Sequence, residues 1–148
     1  MTGVQTCALP ICRHFRLDLD GVEAAFLHYP LEQSGRGFLP ITTDLTPGAL
    51  DELFLRAYSN LAPVNFYGHD HRFSDVTGKS RYVNPGSLGC GGHPVARYTI
   101  IQSQNGVCEI DHRAVDYDDH ELFGAFESRR VPGRSFIYQG FFGGRFGE

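Results

Sequence analysis

Two histidines separated by one residue, His69 and His71, have the residue types and spacing in this sequence that best suit chemistry. Side chains at positions i and i+2 of an extended strand share a face, so both imidazoles could reach one metal ion or two adjacent ions. Gly68 precedes them and allows a sharp turn of the backbone. Taken alone, the pair fits equally well a histidine at a strand end beside a histidine in solvent, so the rest of the chain must decide.

A hairpin is predicted over residues 13–28, ahead of the histidine pair. Apolar and polar residues alternate on both sides of Asp20-Gly21, a dipeptide typical of a type I′ turn whose two central residues take positive φ. The second strand is expected to end at His28, where the chain enters a loop. Strand ends of this kind often carry binding residues, although a single histidine is more simply a packed or hydrogen-bonded residue.

An α/β arrangement is predicted to deliver the histidine pair. Residues 29–45 form a long polar connection in which Arg36 could reach an anionic substrate, although a solvated arginine is the simpler interpretation. A packing helix should follow, with Thr46 as its N-cap and Pro47 at its first position. A short apolar strand over residues 64–67 then places the two histidines at its carboxyl end, which is the usual position of sites in α/β folds.

The second half of the sequence predicts mainly β-structure and two closing helices. After the hairpin around Gly78-Lys79, the turn over residues 84–87 leaves the side chains of Asn84 and Ser87 free to form hydrogen bonds. The further predicted elements are strands over 96–102 and 107–117, with His112 on a strand face, a helix N-capped by Asp118, and a short helix within 136–142. Cys90 and His93 have ligand spacing, but a single C-x-x-H among glycines is a weak metal motif.

Composition restricts the class of protein. A chain of 148 residues with 41% hydrophobic residues suits one soluble domain, and no apolar run approaches a membrane span. The net charge of −4 and the scattered basic residues argue against binding duplex nucleic acid. The cysteines form no C-x-x-C pair, which favours a reduced, cytoplasmic setting; they are Cys7, Cys12, Cys90 and Cys108.

The first twelve residues fit neither a signal peptide nor a strand. They resemble a translated sequencing adapter, so we interpret residues 1–12 as a non-native or disordered tail and exclude them from functional reasoning.

Three features occur in a definite order: a predicted strand ending at His28, a G-H-D-H stretch over residues 68–71, and an N-P-G-S turn over residues 84–87. In this combination the sequence resembles the calcineurin-like metallophosphoesterases, especially their small bacterial and archaeal members. The resemblance covers residues 13–148 and identifies them as the C-terminal portion of a single, N-terminally truncated domain. It implies an α/β fold in which a two-layer β-sandwich is flanked by helices, in α-β-β-α order, with a dinuclear metal centre at the strand ends.

The resemblance also implies roles for the candidate histidines. His28 and His69 would bind one metal ion and His71 the other, with Mn, Fe, Zn, Co or Ni as the two divalent ions. Two such ions clamp phosphate oxygens and lower the pKa of a bridging water, which makes a hydroxide nucleophile available near neutral pH. The other candidates, which would support the site or contact substrate, are Asn84, Ser87, Asp70 and Arg36. Asp70 would either add an oxygen ligand or orient a histidine.

The family pattern is matched only in part. The family also carries a D-x-H, a G-D-x-x-D whose first aspartate bridges the metals, and a G-N-H with an asparagine ligand; none of these precedes His28. Asp118-Asp119-His120 has D-x-H spacing but comes too late, and we interpret it as a helix cap. Without a bridging carboxylate, histidines alone cannot hold two cations close together. We therefore expect half of a site, and little activity, in this chain.

The expected function of the intact protein is hydrolysis of phosphomonoesters or phosphodiesters. The alternative is a non-catalytic interaction scaffold of the same fold; such scaffolds tend to lose the histidines, which this chain keeps. A metallo-β-lactamase-like hydrolase would need H-x-H-x-D-H, whereas Arg72 and Phe73 follow His71. The expected partner is a small phosphoester, with neither duplex nucleic acid nor a membrane. The sequence does not specify the substrate, the metal or the oligomeric state.

Overall fold

The computed structural model describes residues 14–145, so the predictions for residues 1–12 lie outside the described part of the chain. The predicted α/β sandwich is confirmed, with a five-stranded sheet, a two-stranded sheet and three helices in the described range. The elements in order are β1 His14–Leu19, β2 Val22–Leu27, α1 Pro47–Ala57, β3 Val64–Phe66, β4 Ser74–Thr77, β5 Arg81–Asn84, β6 Val95–Gln104, β7 Val107–Asp116, α2 His120–Ser128 and α3 Arg134–Phe142. None of these helices is long and apolar enough to cross a membrane.

The larger sheet has the strand order β1-β2-β3-β5-β4, and its three central strands are parallel. Only the edge pairs, β1 with β2 and β4 with β5, are antiparallel. Helix α1 makes the crossover between parallel strands β2 and β3, as a βαβ unit requires. The carboxyl ends of β2, β3 and β5 therefore meet at one edge of the sheet, which we call the carboxyl edge.

The two faces of this sheet bury separate apolar clusters. On one face, α1 packs the side chains of Leu50, Leu53 and Phe54 against the sheet. The other face is covered by the β6–β7 ribbon, whose Ile101 and Ile110 pack on a cluster formed by β2, β3 and β5. Every residue of β3 is buried, as expected of a strand covered on both sides. The layers are therefore helix, five-stranded sheet and ribbon.

Two type I′ turns close one end of the molecule. Asp20 and Gly21 have φ of 54° and 88°, and Asn105 and Gly106 have φ of 52° and 73°. A Cβ on Gly106 would lie only 3.9 Å from the backbone oxygen of Asp20, so the two turns pack together through their glycines. The hairpin predicted from Asp20-Gly21 is confirmed; its second strand ends at Leu27, one residue before His28.

The two predicted helix caps differ in detail from the structure. Helix α1 begins at Pro47 as predicted, but the Thr46 side chain makes no capping hydrogen bond. Instead, the Thr46 backbone N–H donates to Asp44 Oδ1 at 2.8 Å. Helix α2 has Asp119 rather than Asp118 as its N-cap residue. The Asp118 carboxylate, one residue before the N-cap, accepts the backbone N–H of His120, the first helical residue, at 3.0 Å.

His112 joins the β6–β7 ribbon to the edge of the large sheet, which the sequence did not indicate. Its Nε2 lies 2.7 Å from Asp75 Oδ2 on β4, and its Nδ1 lies 3.1 Å from Thr99 Oγ1 on β6. The Arg81 guanidinium on β5 donates to both oxygens of Asp75, at 2.8 and 2.6 Å. The exposed residues of β7 include Glu109, Asp111 and Ala114.

Replacing Asp75 by Asn should weaken this junction in a pH-dependent way. Hydrogen bonds from Arg81, followed in size by one from His112, hold the pKa of Asp75 below its usual range. Its stabilising contribution is therefore fully present above the ordinary carboxyl pKa and is lost as the pH falls through the lower, folded-state pKa. We expect Asp75→Asn to reduce the unfolding free energy by about 1–2 kcal/mol near neutral pH, allowing for solvent screening.

Urea denaturation of both proteins across the acidic range measures this difference, which should shrink as the pH falls. Asp111→Asn is the control, because it removes a more exposed carboxylate that pairs with Arg113 on the same strand. An equal loss of stability at every pH would contradict the assignment of the effect to the Asp75 charge.

Candidate metal site

The carboxyl edge brings His28 and His69 into direct contact. His28 follows β2 and His69 follows β3 after two intervening residues, and His28 Nε2 lies 2.9 Å from His69 Nδ1. The backbone N–H of Gly68 donates to the oxygen of His28 at 2.9 Å, which extends the pairing of the two strand ends. A Cβ at position 68 would lie 3.7 Å from that oxygen, so the two chain segments approach closely here.

The i, i+2 spacing predicted that His69 and His71 lie in an extended strand, but they lie in a loop after the strand. Strand β3 ends at Phe66, and both His69 and His71 have left-handed backbones, with φ of 74° and 60°. Such conformations are uncommon for residues other than glycine and persist where the surrounding structure fixes them, often at functional sites. His71 points to different neighbours: its ring centroid lies 6.0 Å from that of Phe141 on α3.

Asp70, between the two histidines, fixes this loop. Its side chain is only 2% exposed and pairs with the Arg72 guanidinium at 3.0 Å. The same carboxylate accepts the Arg72 backbone N–H at 3.2 Å and the side-chain amide of Asn84. Arg72 in turn donates to the backbone oxygens of Thr42 and Thr43 in the long connection. We call these residues the Asp70 brace; it ties three separate segments together beneath the histidines.

Aromatic rings line the His28–His69 pair. The Phe38 ring centroid lies 5.2 Å from that of His28 and 5.0 Å from that of His69, and Tyr29 lies 5.4 Å from His69. Although the His28 side chain is exposed, partial desolvation lowers its pKa, and the neighbouring His69 and His71 lower it further. A lowered pKa favours the neutral imidazole, which is the form that binds metals.

His28 Nε2 and His69 Nδ1 form a hydrogen bond, so one of these two nitrogens carries a proton. Two nitrogens bound about 2.0–2.1 Å from one tetrahedral metal lie about 3.3 Å apart, so a shared ion would have to displace that proton and separate the two rings slightly. In residues 14–145, however, no three His, Cys, Asp or Glu side chains are grouped so that they could hold a metal ion. The structure therefore brings His28 and His69 into contact. His71, the third predicted ligand, does not bond to either of them and lies near Phe141.

Of the other predicted site residues, Asn84 and Ser87 form hydrogen bonds that hold loops near the site, whereas Arg36 does not contact it. Asn84 is fully buried in the Asp70 brace, and its Oδ1 accepts the backbone N–H of Gly86 at 2.9 Å. Ser87 Oγ accepts the backbone N–H groups of residues 89 and 90, so it supports the turn over residues 84–87. Arg36 is exposed, and in the described part of the chain no hydrogen bond or ring contact joins it to the histidines.

Sequence reasoning missed three residues that shape the site: Arg72, Phe38 and Phe141. Arg72 directly follows the H-x-H motif and could have been considered for that reason. Phe38 and Phe141 had no such signal, because one lies in an irregular connection and the other in a helix almost at the end of the chain. The weak Cys90 and His93 motif stays unsupported: Cys90 is bonded through its backbone N–H, and His93 is exposed.

Comparison with known proteins identifies a shared fold but no named family. No family model matches the sequence. No curated protein matches it either. Among solved structures, a hypothetical protein from Pyrococcus horikoshii OT3 matches with a TM-score of 0.64 and 13% identity, covering 82% of this chain and 47% of that one. This likeness shows that the two share a fold, and the chain spans about half the length of that relative.

Two further solved structures are similar over part of the chain. A Thermotoga maritima protein has a TM-score of 0.45 and 22% identity, covering 69% of this chain and 54% of its own. Vacuolar Protein Sorting 29 from Cryptosporidium parvum has a TM-score of 0.38 and 11% identity, covering 71% of this chain and 57% of its own.

Removal of the Asp70 carboxylate should loosen the whole loop. Asp70→Ala removes the charged acceptor of the Arg72 guanidinium, which keeps its bonds to Thr42 and Thr43, and removes the acceptor of the buried Asn84 amide; we expect a loss of about 1–3 kcal/mol in unfolding free energy. Chemical denaturation measures this loss. Asp116→Ala serves as the control, since it removes a carboxylate from an exposed position at the end of β7. If the two substitutions destabilised the protein equally, the brace would not be the constraint described here.

Proposed function

We propose that this chain contributes His28, His69 and His71 to a dinuclear metal centre, and that the intact protein hydrolyses phosphomonoesters or phosphodiesters. The observation that carries the proposal is the 2.9 Å approach of His28 Nε2 to His69 Nδ1 at the carboxyl edge of the sheet. The motif order described above supports it, because the N-P-G-S turn supplies Asn84 to the brace that holds the two histidines. Cytoplasmic location is part of the proposal and is supported by the free thiols of Cys90 and Cys108.

The donor set suits divalent manganese, iron, zinc, cobalt or nickel. His28 and His69 would hold one ion, and His71 would hold the second. When bound, the metal pair supplies a hydroxide nucleophile and neutralises charge on the phosphate oxygens. The rings of Phe38 and Tyr29 contact the His69 imidazole, and Phe38 also contacts the exposed His28. The Asp70 brace keeps the histidine loop in one conformation, so little ordering is needed when the ions bind.

Within residues 14–145, no carboxylate is grouped with these histidines so that it could hold a metal ion with them. Asp70 is the acidic residue of the motif itself, and its oxygens are already engaged by Arg72 and Asn84. Two cations a few ångströms apart repel each other strongly unless an anionic ligand lies between them. We therefore propose that the bridging carboxylate comes from elsewhere in the intact protein, and we expect this chain to bind one ion weakly and to show little turnover.

Isothermal titration of the 148-residue chain with Mn²⁺ and with Zn²⁺ tests the site. We expect a single weak event, and His28→Ala and His69→Ala should each weaken it at least about tenfold, because each removes one of two imidazole ligands. His93→Ala is the matched control, since His93 is an exposed histidine outside the site. Tight binding of two ions per chain would refute the half-site, and binding that survives both substitutions would refute the assignment of ligands.

Activity is tested in a full-length protein that contains the upstream reading frame. His69→Ala should abolish metal-dependent hydrolysis of an aryl phosphate. Unchanged hydrolysis would contradict the phosphoesterase proposal, whereas a full-length protein that binds metal without hydrolysing esters would favour the scaffold alternative. The upstream frame itself is informative, because the proposal requires it to encode the bridging aspartate.

A further inference from the structure

We infer that Phe141 and Phe136 of α3 form an aromatic platform beside His71 that binds the planar group of a phosphoester substrate, such as an aryl group or a nucleobase. This inference rests on the proposed function and narrows its substrate class. The ring centroid of Phe141 lies 6.0 Å from that of His71, at an interplanar angle of 46°. Phe136 meets Phe141 edge to face, with centroids 6.2 Å apart and an angle of 83°.

Both phenylalanines of the platform are exposed to solvent. Phe141 is 38% exposed and Phe136 is 72% exposed. Neither ring is needed to fill the core beneath α3, because Tyr138, Phe142 and Phe123 form that cluster and are each at most 8% exposed. Leaving aromatic surface in water is unfavourable, so exposed rings next to a candidate site are good candidates for contact with a ligand.

The platform is also held in place. The backbone N–H of Gly91 donates to the oxygen of Phe141 at 2.7 Å, which ties the end of α3 to the segment after the N-P-G-S turn. Gly143 ends the helix in the left-handed conformation, and a Cβ at that position would come within 3.0 Å of Gly92 Cα. The buried side chains of Tyr138 and Phe142 fix the opposite face of the helix. A ligand would therefore meet rings that are already positioned, which reduces the entropy lost on binding.

The chemistry of the neighbourhood favours a planar ligand group over an aliphatic one. Imidazole and metal would engage the phosphate, and a ring attached to it would have the aromatic side chains of Phe141 and Phe136 within reach. Aromatic side chains stack on aryl groups and on every nucleobase, and alanine substitution of such a ring lowers affinity by about 5- to 150-fold. An alkyl phosphate gains nothing comparable from the same surface.

The test is an NMR titration of the 148-residue chain with 2-naphthyl phosphate and with methyl phosphate, each with and without Zn²⁺. We expect naphthyl phosphate to bind more tightly than methyl phosphate and to shift the ring signals of Phe141 and Phe136. Phe141→Ala should weaken naphthyl phosphate by about 5- to 150-fold and leave methyl phosphate unchanged. Phe136→Ala, which alters a more exposed ring, gives a second reading should Phe141→Ala disturb folding, and Phe141→Trp should restore the preference.

Phe15→Ala is the matched control, because Phe15 is 42% exposed but stacks on Phe26 rather than on a histidine. Equal affinity for the two phosphates, or naphthyl phosphate binding that is unaffected by Phe141→Ala and Phe136→Ala, would overturn the platform. The Zn²⁺-induced shifts of the histidine signals report the proposed function separately. If Zn²⁺ fails to bind, the metal site is refuted, while the effect of Phe141→Ala on naphthyl phosphate without Zn²⁺ still decides the platform.

Discussion

The buried carboxylate of Asp70 is the constraint on which the candidate site depends. A carboxylate that is 2% exposed loses most of its hydration, and this loss is tolerable only if charged or polar donors replace the water. Its donors come from Arg72 in its own loop and from Asn84 at the end of β5, and Arg72 is itself held by the long connection through Thr42 and Thr43. The left-handed backbones of His69 and His71, on either side of Asp70, are conformations that such a brace can maintain.

The parallel arrangement of β2, β3 and β5 explains why residues far apart in sequence meet at the brace. Parallel strands end at the same edge of a sheet, so the residues that follow them become neighbours whatever the length of the crossovers. His28, the histidine loop and Asn84 follow these three strands in turn. The sequence was therefore sufficient to predict that these segments follow strand ends, because each strand end was marked locally by an apolar run followed by a glycine, proline or histidine. The Asp20-Gly21 turn was predictable for a similar local reason.

Interactions between segments without periodic patterns could not be predicted in this way. His112 reaches Asp75 across 37 residues, and Arg72 reaches Thr43 across 29. Each depends on how the ribbon and the long connection lie on the sheet, which is determined by packing of Ile101, Ile110 and other core residues rather than by any local motif. The conformation of the histidine pair was also beyond sequence reasoning. An i, i+2 spacing suggests an extended strand, but the hydrogen bonds of Asp70 override that local preference.

The brace also limits the chemistry that these residues can perform by themselves. A carboxylate that bridged two metal ions would have to release Arg72 and Asn84, so the guanidinium would lose its only charged partner in the brace and the buried amide would lose its acceptor. Releasing them would also remove the contacts that hold the histidine loop in the conformation that brings His69 to His28. One acidic side chain therefore cannot both position the imidazoles and bridge the ions. If a dinuclear centre forms here, its anionic ligand must approach from outside the Asp70 brace, and the histidines can remain fixed while it does so.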